Sequence, residues 1–130
     1  MSRALRIPVG IICSAYGGST VEGWISRELL ENYPDISLNP DSIERLHPML
    51  RPMLMYNAML KPLQNYTIKG FIWYQGESNV GRHETYAERL ADMVQLWRKE
   101  WGLGELPFYF AEIAPYAYGG TQRRESCLPT

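Results

Sequence analysis

Cysteine and histidine are scarce in this chain of 130 residues, with two of each. The histidines, His47 and His83, stand far apart, and no Cys or His pair has ligand spacing, so no metal site is expected. Cys13 lies inside an apolar run and reads as a small buried hydrophobe, while Cys127 lies in a polar tail. Nothing in their placement supports a disulfide. No run of about 18 apolar residues exists, so no transmembrane helix is expected. The formal net charge is only -1 and no basic stripe stands out. Nucleic acid and anionic membrane surfaces are therefore poor partners. Residues 14–20 are Gly-rich but lack both a phosphate-loop lysine and Gly-x-Gly-x-x-Gly spacing, which argues against a nucleotide. No cofactor is called for. The first six residues run straight into an apolar segment, without a signal-like core and cleavage site.

What the chain does have is the composition of a globular protein, 45% apolar and 21% charged. Its length suits one domain spanning residues 1–130, large enough to bury a core. Four tryptophans and nine tyrosines are a heavy aromatic load. Such residues line sugar-facing clefts, but they more often simply fill a core.

Apolar patterning alternates between strand and helix. Ile7 to Cys13 is a short continuous apolar run, as in a strand covered on both faces. A loop follows over Ser14 to Thr20. A short helix is expected from about Val21 to Asn32, with Val21, Trp24, Ile25 and Leu29 on one face. After a loop to Pro40, Asp41 or Ser42 can cap a second helix carrying Ile43, Leu46, Leu50, Leu54 and Met59. Pro48 and Pro52 should break or kink it. Lys69 to Tyr74 reads as a buried strand. Tyr86, Leu90, Met93, Trp97 and Trp101 then form the apolar stripe of a clear amphipathic helix, closed by Gly102. Leu106 to Ala114 reads as a third strand, with an exit loop over Pro115 to Gly120.

Strands joined by crossover helices imply an α/β fold with a parallel sheet and helices on both faces. Ligands bind such sheets where the loops leave the carboxyl ends of the strands. Three segments then share one rim: Ser14 to Thr20, Gln75 to Asn79, and Ala114 to Gly120. They are also the most Gly-rich and polar stretches that follow strands. Gly17-Gly18 allows close backbone approach and offers amide donors. The Gln75, Glu77, Ser78 and Asn79 cluster adds carboxamide, carboxylate and hydroxyl groups. Amide donors that converge on one point make an oxyanion hole for acyl transfer. The alternative is an ordinary strand-to-helix loop with Ser78 or Asn79 as a helix cap.

Particular strings give a resemblance. Ile7-Pro-Val-Gly-Ile-Ile-Cys-Ser-Ala-Tyr-Gly-Gly-Ser-Thr-Val-Glu-Gly-Trp24 resembles a block of the sialate O-acetylesterase family of SGNH hydrolases, whose relatives include acetylxylan esterases. Tyr56-Asn-Ala-Met-Leu60, Ile68-Lys-Gly-Phe-Ile-Trp-Tyr-Gln-Gly-Glu-Ser-Asn79, Trp97-Arg-Lys-Glu-Trp101 and Leu106-Pro-Phe-Tyr-Phe110 resemble later blocks in the same order. The resemblance implies a flavodoxin-like, three-layer α/β/α sandwich with a parallel sheet. It implies removal of O-acetyl groups from sialic acid or related sugars by a serine nucleophile, with a small acetylated sugar as the partner. It makes Gly18, beside Gly17, the backbone oxyanion donor. Gln75 or Asn79 is then the side-chain donor, and Glu77 a carboxylate that orders the site or binds substrate, with Gly17 and Ser78 also facing the ligand.

The family's Gly-Gln-Ser-Asn nucleophile segment and its Asp-x-x-His histidine segment have no counterpart among these residues. The sequence thus reads as the central part of a catalytic domain, incomplete at both ends and inactive alone. Missing flanking strands would leave an apolar sheet edge open to self-association. A self-contained triad would need Ser14, Ser19 or Ser78 with His47 or His83, of which Ser78 with His83 is the nearest pair in sequence. A non-catalytic carbohydrate-binding module is the competing function. The resemblance suggests a periplasmic or secreted parent protein.

Overall fold

The computed structural model describes residues 2–115. All of the expected Pro115 to Gly120 loop except Pro115, and Cys127, lie outside the described residues. At the centre is one strand–helix–strand unit: β1 (Phe71–Trp73), α4 (His83–Trp101) and β2 (Phe108–Phe110). The strands are parallel, with Phe71 opposite Phe108, Ile72 opposite Tyr109 and Trp73 opposite Phe110. Both are shorter than the apolar runs that predicted them. The arrangement is α/β, as expected, with a two-stranded sheet among the described residues.

α4 forms where the stripe predicts. Met93, Trp97 and Trp101 are buried and Tyr86 and Leu90 pack against the core. Gly102 ends the helix in the left-handed conformation (φ 62°), its N–H donating to the Arg98 carbonyl at 3.1 Å. The helix covers one face of the sheet. There Phe71, Trp73, Trp97, Trp101 and Phe108 form an aromatic cluster with ring centroids 5.2–6.3 Å apart. Trp24 joins edge-on against Trp73 at 5.9 Å. The load of aromatics is thus in large part core. The indoles are also satisfied: Trp97 Nε1 donates to the Trp24 carbonyl and Trp101 Nε1 to the Tyr66 carbonyl.

Three expectations fail locally. Ile7 to Cys13 forms no strand, and Cys13 is exposed rather than buried. A strand needs ladder partners and a covered face, and among the described residues no strand pairs with this run. Ile11 is 83% exposed. The single helix expected over residues 21–32 is instead a 3-10 turn, Val21–Trp24, followed by α2 (Arg27–Leu30). Ser26 divides them, because its side chain accepts from the Leu29 N–H and starts α2 afresh. The third expected strand also stops at Phe110 rather than running on to Ala114.

The proline-interrupted region breaks up as the sequence implies. It contains α3 (Pro40–Glu44), a 3-10 turn at Pro48–Leu50, a π turn at Tyr56–Leu60 and a 3-10 turn at Lys61–Leu63. The cap of α3 is Asn39, which accepts from the Asp41 N–H at 2.9 Å, and not Asp41 or Ser42. A short α1 (Ser2–Leu5) precedes the apolar run. The 48–55 region ties to the Val21–Trp24 turn, with Thr20 N–H donating to Met49 O and Met53 N–H to Glu22 O.

Candidate functional site

Gln75 to Asn79 leaves the carboxyl end of β1 as a sharp bend, and Glu77–Arg82 continues as a 3-10 turn into α4. The bend lies against residues 18–22, so the first two of the three predicted rim segments do meet. Of the third, Ala114 and Pro115 are described. Gly17 and Gly18 are exposed, Gln75 and Ser78 half-buried, Glu77 exposed and Asn79 buried. Gly18 has φ 75°, and a Cβ there would come within 2.5 Å of the Met49 Sδ. Glycine at this position therefore answers both to backbone conformation and to space.

Side chains of the bend stitch the two loops together. Ser78 Oγ donates to the Gly18 carbonyl at 2.7 Å. Gln75 Nε2 donates to the Ser19 carbonyl at 2.9 Å and to Asn79 Oδ1 at 2.8 Å, while Gln75 Oε1 accepts from the Tyr86 hydroxyl at 2.9 Å. Asn79 Oδ1 also accepts from the Val21 N–H at 3.0 Å. Asn79 Nδ2 donates to Glu22 Oε2 at 3.0 Å. Both N–H bonds of the Gln75 carboxamide therefore point into the protein. The Gly18 N–H has no acceptor among the described residues.

Beneath the rim lies a buried charged group that the motif reading passed over. Glu22 and Arg89 are each 2% exposed and form an ion pair, Arg89 Nη1 to Glu22 Oε1 at 2.5 Å. Arg89 also pairs through Nη2 with Asp35 and sits over the Tyr33 ring, 4.8 Å from its centroid. Arg82, partly exposed, approaches Glu22 Oε2 at 3.5 Å. Burial alone would raise the Glu22 pKa, but hydrogen bonds from Asn79 and from the Glu22 backbone, with Arg89 and Arg82, outweigh it and hold the carboxyl below its ordinary 4.5. Asp35 is likewise lowered by its bond to Arg89, and the Arg89 pKa is raised in spite of burial by its two carboxylate partners. The sequence carried a signal for this pair. Arg89 falls three residues after Tyr86 and four before Met93, on the apolar stripe of α4, where an unpaired cation would be costly.

The serines and histidines do not assemble. Ser19 is buried, its Oγ accepting from Trp24 Nε1 at 2.9 Å. Ser14 Oγ reaches the Met59 carbonyl, and Ser78 is engaged with Gly18. His83 is exposed, its Nδ1 3.2 Å from the Val80 carbonyl, and His47 is an exposed residue preceding the Pro48 turn. Among the described residues no three His, Cys, Asp or Glu side chains converge as a metal site would require.

The geometry is that of a rim tied together by side-chain bonds, with an exposed Gly-Gly loop, a carboxamide at its edge and an exposed carboxylate, Glu77. Such a rim can offer donors and a charge to a small polar ligand. Over residues 2–126 the chain matches the family described as carbohydrate esterase, sialic acid-specific acetylesterase. It is 29% identical to the sialate O-acetylesterase of Mus musculus, over 86% of this chain and 27% of that protein. It is 31% identical to the sialate O-acetylesterase of Homo sapiens, over 77% of this chain and 19% of that protein. The chain thus spans about a quarter or less of the length of these relatives. No solved structure matches it. The match over nearly the whole sequence carries the assignment: this chain belongs to the sialic acid-specific acetylesterase family of carbohydrate esterases.

Proposed function

We propose that residues 1–130 form the central, substrate-facing part of a carbohydrate esterase that removes O-acetyl groups from sialic acid or related acetylated sugars. The chemistry is that of a serine hydrolase on a three-layer, SGNH-type α/β/α domain. The observation that carries the reading is the stitched rim, in which Ser78 and Gln75 hold the Gly18–Ser19 backbone against the exit of β1. Gly18 N–H is the backbone donor for the oxyanion, and Gln75 is the second donor once its carboxamide turns one N–H from its inward partners, Ser19 O and Asn79 Oδ1, toward the rim. Asn79, buried and bonded through both Oδ1 and Nδ2, holds Gln75 in place. Gly17 and Ser78 line the ligand path, and Glu77 meets the sugar or orients the base. A nucleophilic serine and a general-base histidine come from a full-length parent, since residues 1–130 contain neither Gly-Gln-Ser-Asn nor Asp-x-x-His.

Turnover of 4-nitrophenyl acetate and of O-acetylated sialic acid by the full-length parent tests the assignment. Gln75→Ala should lower kcat by about two to three orders of magnitude, as loss of one oxyanion donor does. Residues 1–130 alone should neither turn over the ester nor take up a fluorophosphonate on serine. Parental kcat in Gln75→Ala would sink the donor role. Sugar binding by a parent that never hydrolyses the ester would favour a non-catalytic carbohydrate-binding module instead.

A further inference from the structure

We infer that Glu22 is a positioning residue of the rim: its buried carboxylate, shared between Arg89 and Asn79, sets the orientation of the Asn79 and Gln75 carboxamides. The functional meaning rests on the esterase reading above, but the structural claim stands on its own geometry. Glu22 is buried on the far side of Asn79 from the rim, and its Oε2 also lies 3.5 Å from Nη2 of the partly exposed Arg82.

The argument follows donors and acceptors along the chain of bonds. An ionised carboxylate accepts only. Its Oε1 takes Arg89 Nη1 at 2.5 Å and its Oε2 takes Asn79 Nδ2 at 3.0 Å. The Asn79 amide must therefore face Glu22 with its NH2 group. On the opposite side its oxygen is left to accept from the Val21 N–H and from Gln75 Nε2. Gln75 in turn must face inward with its nitrogen and receive the Tyr86 hydroxyl on its oxygen. Val21 and Glu22 are adjacent in one 3-10 turn, so a single turn clamps Asn79 from both sides. Arg89 keeps the carboxylate ionised in a buried place, and α4 carries Arg89. The polarity of the rim is thus imposed from the core, through one acid.

Glutamine at position 22 has the same shape but one oxygen. Arg89 and Asn79 would compete for it, and the guanidinium, with the stronger charge-assisted bond, should take it. Asn79 Nδ2 would then meet another NH2 group. The test is hydrogen exchange of side-chain carboxamides, read by NMR on residues 1–130. Glu22→Gln should speed exchange at both Asn79 and Gln75 by about tenfold or more, as loss of a charge-assisted bond implies, with the backbone amides of residues 93–101 still protected. Adding Arg89→Gln frees the single oxygen and should return both carboxamides toward the parental rate. Exposed Glu31→Gln, the charge-loss control, should change neither.

Unchanged Gln75 exchange in Glu22→Gln, or equal loosening in Glu31→Gln, would overturn the inference. The unaltered chain offers a check that needs no variant to fold: a through-hydrogen-bond coupling between Asn79 Nδ2 and the Glu22 carboxylate. Its absence would also overturn the inference. The esterase reading fails by a different route, a full-length parent that never hydrolyses the ester, a result that leaves the exchange pattern of residues 1–130 untouched.

Discussion

The two faces of the β1–β2 pair could hardly differ more. On one, Trp73 is buried at 8% exposure beneath α4, against the α4 residue Trp97 at 3%. On the other, Ile72 and Tyr109 stand 75% and 68% exposed, and the apolar run Ile7 to Ile12 is exposed as well. Both faces were written in similar apolar residues. The covered face has a helix that the chain itself supplies over the crossover. The open face and the 7–13 run have no such cover among the described residues. Apolar character is thus a requirement for burial, and the burial itself needs a partner within reach.

The largest test of this contrast is a pair of substitutions. Trp97→Ala should remove about 3–5 kcal/mol, by lost transfer energy and a cavity among the rings of Phe71, Trp73 and Phe108, or unfold the chain outright. Ile11→Ser, in the open run, should change stability by no more than about 0.5 kcal/mol. Urea midpoints measure both. Comparable losses at the two sites would show that the 7–13 run is buried in solution and would erase the contrast.

A second test sharpens the covered side through the buried acid Glu22. The Glu22 carboxyl is lowered in the folded state, so the folded chain binds fewer protons than the unfolded chain around its ordinary 4.5. Its contribution is present above pH 4.5 and drains away as pH falls through the lowered folded value. Asp35, lowered from 3.8, adds a loss of the same sign at lower pH. Urea midpoints taken from pH about 6 to about 3 should therefore fall, and fall less steeply in Glu22→Gln. An equal slope in that variant would separate Glu22 from the acid lability.

The smallest effect concerns how α4 is delivered to the covered face. Gly102→Ala forces a Cβ into the left-handed conformation and should cost about 1 kcal/mol, lowering the thermal midpoint by a few degrees while leaving the fold unchanged. No shift would mean that the helix end relaxes at no cost, and that its stop is dictated by packing instead.

Much of the rim was legible before any coordinates. Polar and glycine residues follow directly on apolar runs at residues 14–20 and 75–79, and the expected parallel sheet would send both to one end; the two loops do meet, although residues 7–13 form no strand. The Glu22–Arg89 pair was not read, although Arg89 interrupts the stripe between Tyr86 and Met93. A stripe argument counts apolar positions and passes over the charged one among them. Which carboxylate it meets depends on a turn 67 residues away in sequence, and no local rule reaches that far.

Sequence alone determined the elements whose cause is local. The 3.6-residue stripe makes α4, Gly102 stops it, and the prolines divide residues 40–63, because these depend on backbone sterics and near neighbours. Only the tertiary structure decided that Ile7 to Cys13 is exposed and outside any strand, that Asn79 is buried, and that the Gln75 N–H groups point inward. Those outcomes depend on which partners reach a given group in space. A hydrogen-bond donor or an apolar face has no preferred place until its partner arrives.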